Sequence, residues 1–309
     1  MSFDQSTFDP GLTQQYSGNI LRMIEKDGSF NVKKKGGGLK NVHFFQFLIN
    51  ISWARFLLLV LLGYLAVNAF FACLYIAAGV EHLRGAETGS PLAGFLSAFF
   101  FSVHTFTTVG YGTIAPISFM TNLIAALEAL TGLMALALAT GLLYGRFSRP
   151  SARLAFSENA LVAPYHGQQG LEFRLANKRA NVLVDLNATV ILMTVVNVAG
   201  GQKRKYEQLR LERSSVYFLA LTWTIVHPID ENSPLHGKSR DELAAMQAEI
   251  LILVRAFDDT FSQVVHSRYS YRYDEIVWGA RFLPSFHVTD AGGLDLELGR
   301  LGDFEPADR

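Results

Sequence analysis

Charge is the scarcest commodity in this chain. Asp, Glu, Lys and Arg make up only 17% of its 309 residues, and the two signs cancel at 27 each, where an average soluble protein carries about 25%. Without a basic excess there is no electrostatic footprint for nucleic acid, and no nucleic-acid partner is expected. Cysteine is reduced to Cys73, which excludes an intrachain disulfide. The first 40 residues lack an apolar core, so no cleavable signal peptide is expected there. No G-x-G-x-x-G follows a strand-like run, which argues against a nucleotide-sensing domain. There is neither a metal-spaced His/Cys cluster nor a nucleophile elbow, so no enzymatic chemistry and no cofactor are expected.

The apolar residues are concentrated instead. From Phe56 to Ala78 the chain is uncharged, longer than the roughly 20 residues that cross a bilayer. Ala129 to Gly145 is a second uncharged run, and Ile117 to Glu128 precedes it. Two spans follow, an outer helix over 53–78 and an inner helix over 117–147. Between them "LAGFLSAFFFSVHTF" (Leu92 to Phe106) is too short to cross and suits a re-entrant helix over 91–106, with Ser90 as N-cap and Pro91 at its first position. Bases flank the spans on one side: Arg22, Lys26, Lys33, Lys34, Lys35 and Lys40 before the first, Arg146, Arg149 and Arg153 after the second, against Arg84 alone between them. Both termini are therefore expected in the cytoplasm, in a bacterial inner membrane. "NVHFFQFLINIS" (41–52) reads as an amphipathic helix at the membrane surface or as an early start of the first span, with Trp53 as an interfacial anchor. Residues 1–40 form a polar arm. After Pro150 the habit changes: "NVLVDLNATVILMTVV", "LALTWTIVHP" and "EILILVRAF" alternate with period two, turn formers separate them, and only Arg240 to Ile250 looks helical. This is the pattern of a β-sandwich over 150–309.

"TTVGYG" (Thr107 to Gly112) sits between the re-entrant helix and the second span. A dehydrated cation in a membrane needs oxygens in place of water. Successive carbonyls of one strand can supply them only if some residues take left-handed dihedrals, which glycine does at least cost. Gly110 and Gly112 alternate with Val109 and Tyr111, whose side chains are free to brace the strand from behind, and the Thr108 hydroxyl adds one more oxygen. T-V-G-Y-G is itself the known pentapeptide of potassium filters, so the ion is assigned by recognition. Residues 108–112 are the expected selectivity filter, with K+ held at Thr108, Val109, Gly110 and Tyr111. One such unit per chain requires four chains to close a pore.

"RMIEKDGSFNV", "SVHTFTTVGYG", "GRFSRP", "FRLANKR", "TIVHPIDENSPL" and "YDEIVWGARF" resemble, in order, blocks of the inward-rectifier potassium channels, and the absence of extracellular cysteines is similar to their prokaryotic branch. The resemblance implies a membrane α plus all-β fold: a homotetrameric two-helix pore with a re-entrant pore helix, followed by a cytoplasmic immunoglobulin-like sandwich. It implies passive K+ conduction, with K+ as permeant ion. Leu136 and Tyr144 fall where the family's inner helix narrows, and Phe257 where its cytoplasmic pore narrows, so these are the expected gates, with helix packing for the first two and core packing for Phe257 as the alternatives. Arg146, Arg149 and Arg153, with Trp53, fall where relatives contact anionic lipid. His104 stands at the family's filter-supporting position, although no arginine follows "GYG" to pair with an acid there. Glu128 reads either as a cavity acid that attracts potassium or as a hydrogen-bonded acid behind the filter. The family's polyamine-attracting acids land on Leu136, Ser215 and Arg255, so weak polyamine block is expected. A membrane-anchored sensor needs no re-entrant helix, and transporters on this motif usually carry four pore units per chain; both remain as alternatives.

Overall fold

A computed structural model of the chain describes residues 10–12, 15–16, 22–32, 44–148, 152–198 and 201–307. They fall into two compact units, Lys35–Arg149 and a second made of Met1–Lys34 with Pro150–Arg309. The first strand in the chain, β1 (Gln15–Tyr16), belongs to the second unit.

The helical unit begins with α1 (Phe44–Asn50), shorter than the run 41–52 expected at the membrane surface; residues 41–43 lie outside the described residues. Helix α2 (Trp53–Ala78) coincides with the expected outer span and stops at Gly79, whose φ of 97° only glycine adopts without strain. A short strand β2 (Leu83–Arg84) follows. Helix α3 (Pro91–Phe106) starts as its sequence directs: the Ser90 hydroxyl accepts from the Ala93 amide at 3.2 Å and Pro91 fills the first position. Strand β3 (Ala115–Pro116) pairs antiparallel with β2. Helix α4 (Phe119–Phe147) starts two residues later than expected, because the Ser118–Thr121 capping box fixes its first turn and Ile117 is drawn out to donate to the His82 carbonyl. Helices α2 and α4 are long and apolar enough to cross a membrane.

The second unit is a two-sheet sandwich. Strands β4 (Leu154–Phe156), β5 (Ala160–Tyr165), β6 (Gln168–Asn177), β7 (Leu183–Val198), β8 (Gly201–Leu209), β9 (Ser215–Phe218) and β10 (Thr222–Ile229) precede a short helix α5 (Arg240–Ala245). Then come β11 (Glu249–Asp258), β12 (Gln263–Arg272) and β13 (Ile276–Trp278). One sheet runs β1-β8-β7-β11-β12 with β9 also on β7; the other runs β10-β6-β5-β13 with β4 on β6. Their inner faces interleave Leu186, Val190, Ile250 and Ile252 with Leu171, Phe173, Leu175 and Ile225. Two local expectations shift. The helix predicted over Arg240 to Ile250 ends at Ala245, because Ala248 and Ile250 are buried at the start of β11. In β7 the alternation slips at Asp185, which has φ +50° opposite a register shift between Arg255 and Phe257, so Leu183 rather than Val184 is buried.

The amino-terminal arm, expected as a separate polar segment, is part of this sandwich where it is described. The buried Glu249 carboxylate accepts from the Met23 amide at 2.9 and 3.1 Å and from the Ile24 amide at 3.3 Å. Arg22 and Lys26 both pair with Glu275. Met23 and Ile24 pack with Met193, Val195, Tyr206 and Leu251, so a basic arm with two buried hydrophobes is a docked segment, folded into a turn that an Ile24–Phe30 bridge closes.

His227 on β10 is buried between the Arg210 carbonyl, 2.6 Å from Nδ1, and the Ser233 hydroxyl, 2.7 Å from Nε2. Burial holds its pKa below the usual imidazole value. A histidine depressed on folding binds its proton more readily in the unfolded chain, so protonation favours unfolding. Stability should be flat above about pH 6.5 and fall below it, by at most about 1.4 kcal/mol per pH unit. Thermal melting of the sandwich between pH 8 and 5 tests this: the acid-side slope should be shallower in His227→Gln than in the native chain.

Candidate functional site

The strand between α3 and α4 has the dihedral pattern that aims carbonyls one way. Thr108, Gly110 and Gly112 have φ of 59°, 57° and 76°, with Val109 and Tyr111 between them in ordinary geometry. Thr108 was not anticipated among the left-handed residues; a side chain there costs about 1–2 kcal/mol, and its amide recovers a bond to the Thr105 carbonyl at 3.1 Å. The amides of Val109 and Gly110 both turn back onto the His104 carbonyl, at 2.9 and 3.3 Å. The amides of Thr108, Val109 and Gly110 are therefore all turned onto the end of α3. The carbonyls of the strand are not drawn into these bonds.

His104 holds this strand twice, by that carbonyl and by its ring, which meets the Tyr111 ring edge-on at 4.9 Å. At the outer end, Gly85 lies so near the Thr113 carbonyl that a Cβ would come within 2.1 Å of it, and the β2–β3 pairing ties the exit of the strand to the loop after α2. At the inner end, Gly132 of α4 approaches α3 just as closely: a Cβ there would sit 2.1 Å from the Phe106 carbonyl. Gly132 is thus a contact point between helices, the commoner use of glycine in spans.

Behind the strand lies a polar cluster that matches the hydrogen-bonded reading of Glu128 and whose other members sequence reasoning missed. Tyr75 and Asn68 of α2, Ser102 of α3 and Glu128 of α4 are each fully buried. The Tyr75 hydroxyl donates to Glu128 Oε2 at 2.6 Å, and Ser102 Oγ hydrogen-bonds both Glu128 Oε1 and Asn68 Oδ1, the latter at 3.0 Å. Asn68 Nδ2 donates to the Tyr64 carbonyl at 2.8 Å. The cavity-acid reading of Glu128 is therefore corrected. It has no exposure within a single chain, and assembly can only bury it further. The signal was present: Asn68 and Glu128 are polar residues inside apolar spans, and such residues need partners.

Leu136 and Tyr144 lie on the exposed side of α4, at 64% and 73%, while that helix fully buries only Thr121, Glu128 and Gly132 among its described residues. Both side chains are available to face lipid, other copies or a pore. Arg146 is corrected from lipid ligand to clamp. Its guanidinium donates to the Leu48, Ile49 and Ile51 carbonyls at the end of α1, the last two at 3.1 and 2.8 Å. It also lies over the Trp53 and Phe56 rings, 4.6 and 4.5 Å from their centroids, in the corner made by their edge-on contact. The cation that would have met a headgroup is spent on the open carbonyls of a helix C-terminus. Trp53 stays partly exposed beside it and packs on Phe147 at 5.0 Å. Arg149 lies outside the described residues. Arg153 is exposed ahead of β4. In the sandwich Phe257 is half-buried on β11 opposite Val184 and Val264, on the sheet face away from the core that its neighbours Ala256 and Asp258 enter. Core packing does not account for it. Arg255 and Ser215 meet Asn187 of β7 in one exposed polar row.

Comparison with known proteins places the chain in a family. Residues 154–303 match the family described as inward rectifier potassium channel C-terminal domain, and residues 58–149 match one described as ion channel. The inward rectifier potassium channel Kirbac3.1 of Paramagnetospirillum magnetotacticum is 36% identical over 287 residues, covering 92% of this chain and 95% of that one. The chain belongs to the inward rectifier potassium channels. Vertebrate members are more distant: the ATP-sensitive inward rectifier potassium channel 12 of Bos taurus and the inward rectifier potassium channel 18 of Homo sapiens are each 28% identical over 285 residues. Those alignments cover 85% of this chain and 67% and 66% of theirs. An inward rectifier passes potassium passively through a membrane pore and performs no enzymatic step, and its two spans and carboxyl-terminal β-domain are those described above.

The close approach at Gly132 carries a prediction. Gly132→Ala must displace backbone rather than a flexible side chain, and should cost about 1–3 kcal/mol; Gly63→Ala on α2, where a Cβ meets nothing within 4 Å, should not destabilise. Thermal stability of the detergent-purified channel distinguishes the two.

Proposed function

We propose that four copies of this chain surround one axis, and that Thr108, Val109, Gly110 and Tyr111 of each coordinate the permeant K+ with Gly112 closing the outer end. The observation that carries this is the alternation of left-handed residues with amides turned onto the pore helix, which frees one rank of carbonyls per chain. A single rank covers one side of an ion, so several chains are needed to replace a hydration shell. Leu136 and Tyr144 form the constriction at the inner end of the membrane pore, where rings of apolar side chains close by dewetting. Phe257, on the outward sheet face, forms a second constriction in the cytoplasmic pore. Arg153, and Arg149 ahead of it, contact anionic lipid, and Trp53 anchors the first span at the interface. The basic flanks support cytoplasmic termini in a bacterial inner membrane.

Polyamine block is weak in this reading. Ser215 and Arg255 share one polar row without an acid, Leu136 carries no charge, and Glu128 is withdrawn from the cavity. A charge pair at roughly 5 Å in an effective dielectric near 20 is worth about 3 kcal/mol, so each missing ring of four acids removes a large share of the attraction.

Flux into liposomes tests the filter. Potassium and rubidium should pass far faster than sodium, barium should block, and Gly110→Ala should abolish selectivity or conduction because its Cβ opposes φ of 57°. Comparable sodium and potassium flux in the native protein would sink the assignment. The gate has its own arm: Tyr144→Ala should raise basal flux several-fold, and unchanged flux in an intact channel would move the constriction elsewhere. Cytoplasmic spermine should block native currents only weakly and Leu136→Asp currents strongly; steep native block at micromolar spermine would refute the charge argument.

A further inference from the structure

The buried cluster behind the filter contains more acceptors than its visible donors can serve. Ser102 has one hydroxyl hydrogen but two oxygen neighbours, Glu128 Oε1 and Asn68 Oδ1. The Asn68 amide cannot be reversed to supply a donor there, because its Nδ2 already donates to the Tyr64 carbonyl. Tyr75 spends its only hydrogen on Glu128 Oε2. With an ionised Glu128, Ser102 must donate to the carboxylate, and Asn68 Oδ1 is left buried and unserved. One further hydrogen, on Glu128 Oε1, completes the set: Glu128 donates to Ser102, Ser102 to Asn68, and Asn68 to the α2 backbone. Every polar atom of the cluster is then used in one direction. All four side chains are fully buried, where an unmet acceptor and an unpaired charge are both costly.

We propose that Glu128 is a neutral hydrogen-bond donor, and that the directional chain Tyr75–Glu128–Ser102–Asn68 is a positioning device that fixes the pore helix between the two membrane helices and so sets filter selectivity. Ser102 lies two residues before His104, whose carbonyl and ring hold the filter amides and Tyr111. A rotation or slide of α3 at Ser102 is therefore passed directly to the strand that contacts the ion. The cluster ties α3 to α2 through Asn68 and to α4 through Glu128, with Tyr75 bracing Glu128 from α2 and packing on Phe101 at 5.0 Å. Helix ends alone do not supply this restraint, since the Ser90 cap of α3 is exposed and remote from the filter.

The proposal rests on the potassium-filter reading and is tested separately from it. Rubidium and sodium flux are measured in liposomes for the native channel, Glu128→Gln, Glu128→Ala, Ser102→Ala and Tyr75→Phe, with tetramer integrity followed in parallel. Glutamine keeps an acceptor for Tyr75 and a neutral donor for Ser102, so Glu128→Gln should assemble and hold the native rubidium-to-sodium ratio within about twofold. Glu128→Ala, Ser102→Ala and Tyr75→Phe should lower that ratio, by up to about tenfold for a lost buried hydrogen bond, even where tetramers persist. A protonated-carboxyl infrared band should be present in native protein and missing in Glu128→Gln. A Glu128→Gln channel that fails to assemble, or that loses selectivity as Glu128→Ala does, overturns the neutral donor, as does absence of the band difference. Native ratios in all intact variants overturn the positioning role. A native channel without rubidium-over-sodium preference would instead strike the filter reading itself.

Discussion

A peptide strand that offers its carbonyls to an ion has to dispose of its amides. In water this is no constraint. Inside a membrane an unmet amide is expensive, and the rest of the helical unit is arranged around that difficulty. The α3 helix ends where the His104 carbonyl can receive the amides of Val109 and Gly110, so the same turn that terminates α3 also takes up two amides of the strand. It follows that the filter is only as well placed as the helix behind it. The close glycine contact with α4, the polar cluster and the β2–β3 pairing each restrain that helix or the strand from a different side. No disulfide is available for the purpose in a chain whose one cysteine lies on α2.

At the other end of α4 the same economy of polar groups operates. A short helix at a membrane surface has exposed carbonyls at its C-terminus, and α1 meets them with Arg146 from α4 rather than with water. The guanidinium suits this because it offers several donors in one rigid fork: it reaches three carbonyls while its charge lies over the Trp53 and Phe56 rings. The consequence is mechanical. Tyr144 stands two residues from Arg146, so the inner end of α4 cannot tilt without pulling on α1. Gly145 is packed against Ile49 and Phe45 of that helix.

Much of this was legible in the sequence, for reasons that differ by element. Spans and caps are local: an uncharged run of sufficient length and a Ser-Pro start fix α2 and α3 to the residue. The glycines of the filter could be read for the same reason. Thr108 could not, since a threonine gives no hint of a left-handed backbone. The strands of the sandwich showed their period, yet the slip at Asp185 depends on a register with β11 that no single strand displays. Arg146 was misplaced and Glu128 left between two readings for a shared reason. Each could be read as a charge awaiting an external ligand, because its partners are backbone carbonyls in one case and residues 26 and 53 positions away in the other. A lone ionisable group in a span announces that it has a partner, without saying which.

The docking of the amino-terminal segment has a consequence for how the chain is made. Residues 22–26 find their partners at Glu249 and Glu275, with a separation of 226 residues between Met23 and Glu249. Both membrane helices are encoded in the interval. The pore module is therefore synthesised before β11 and β12, and residues 22–26 must wait for partners that are made only after both helices. Closure of the β-domain is in this sense a long-range step, one that a membrane insertion event separates from the segment it places.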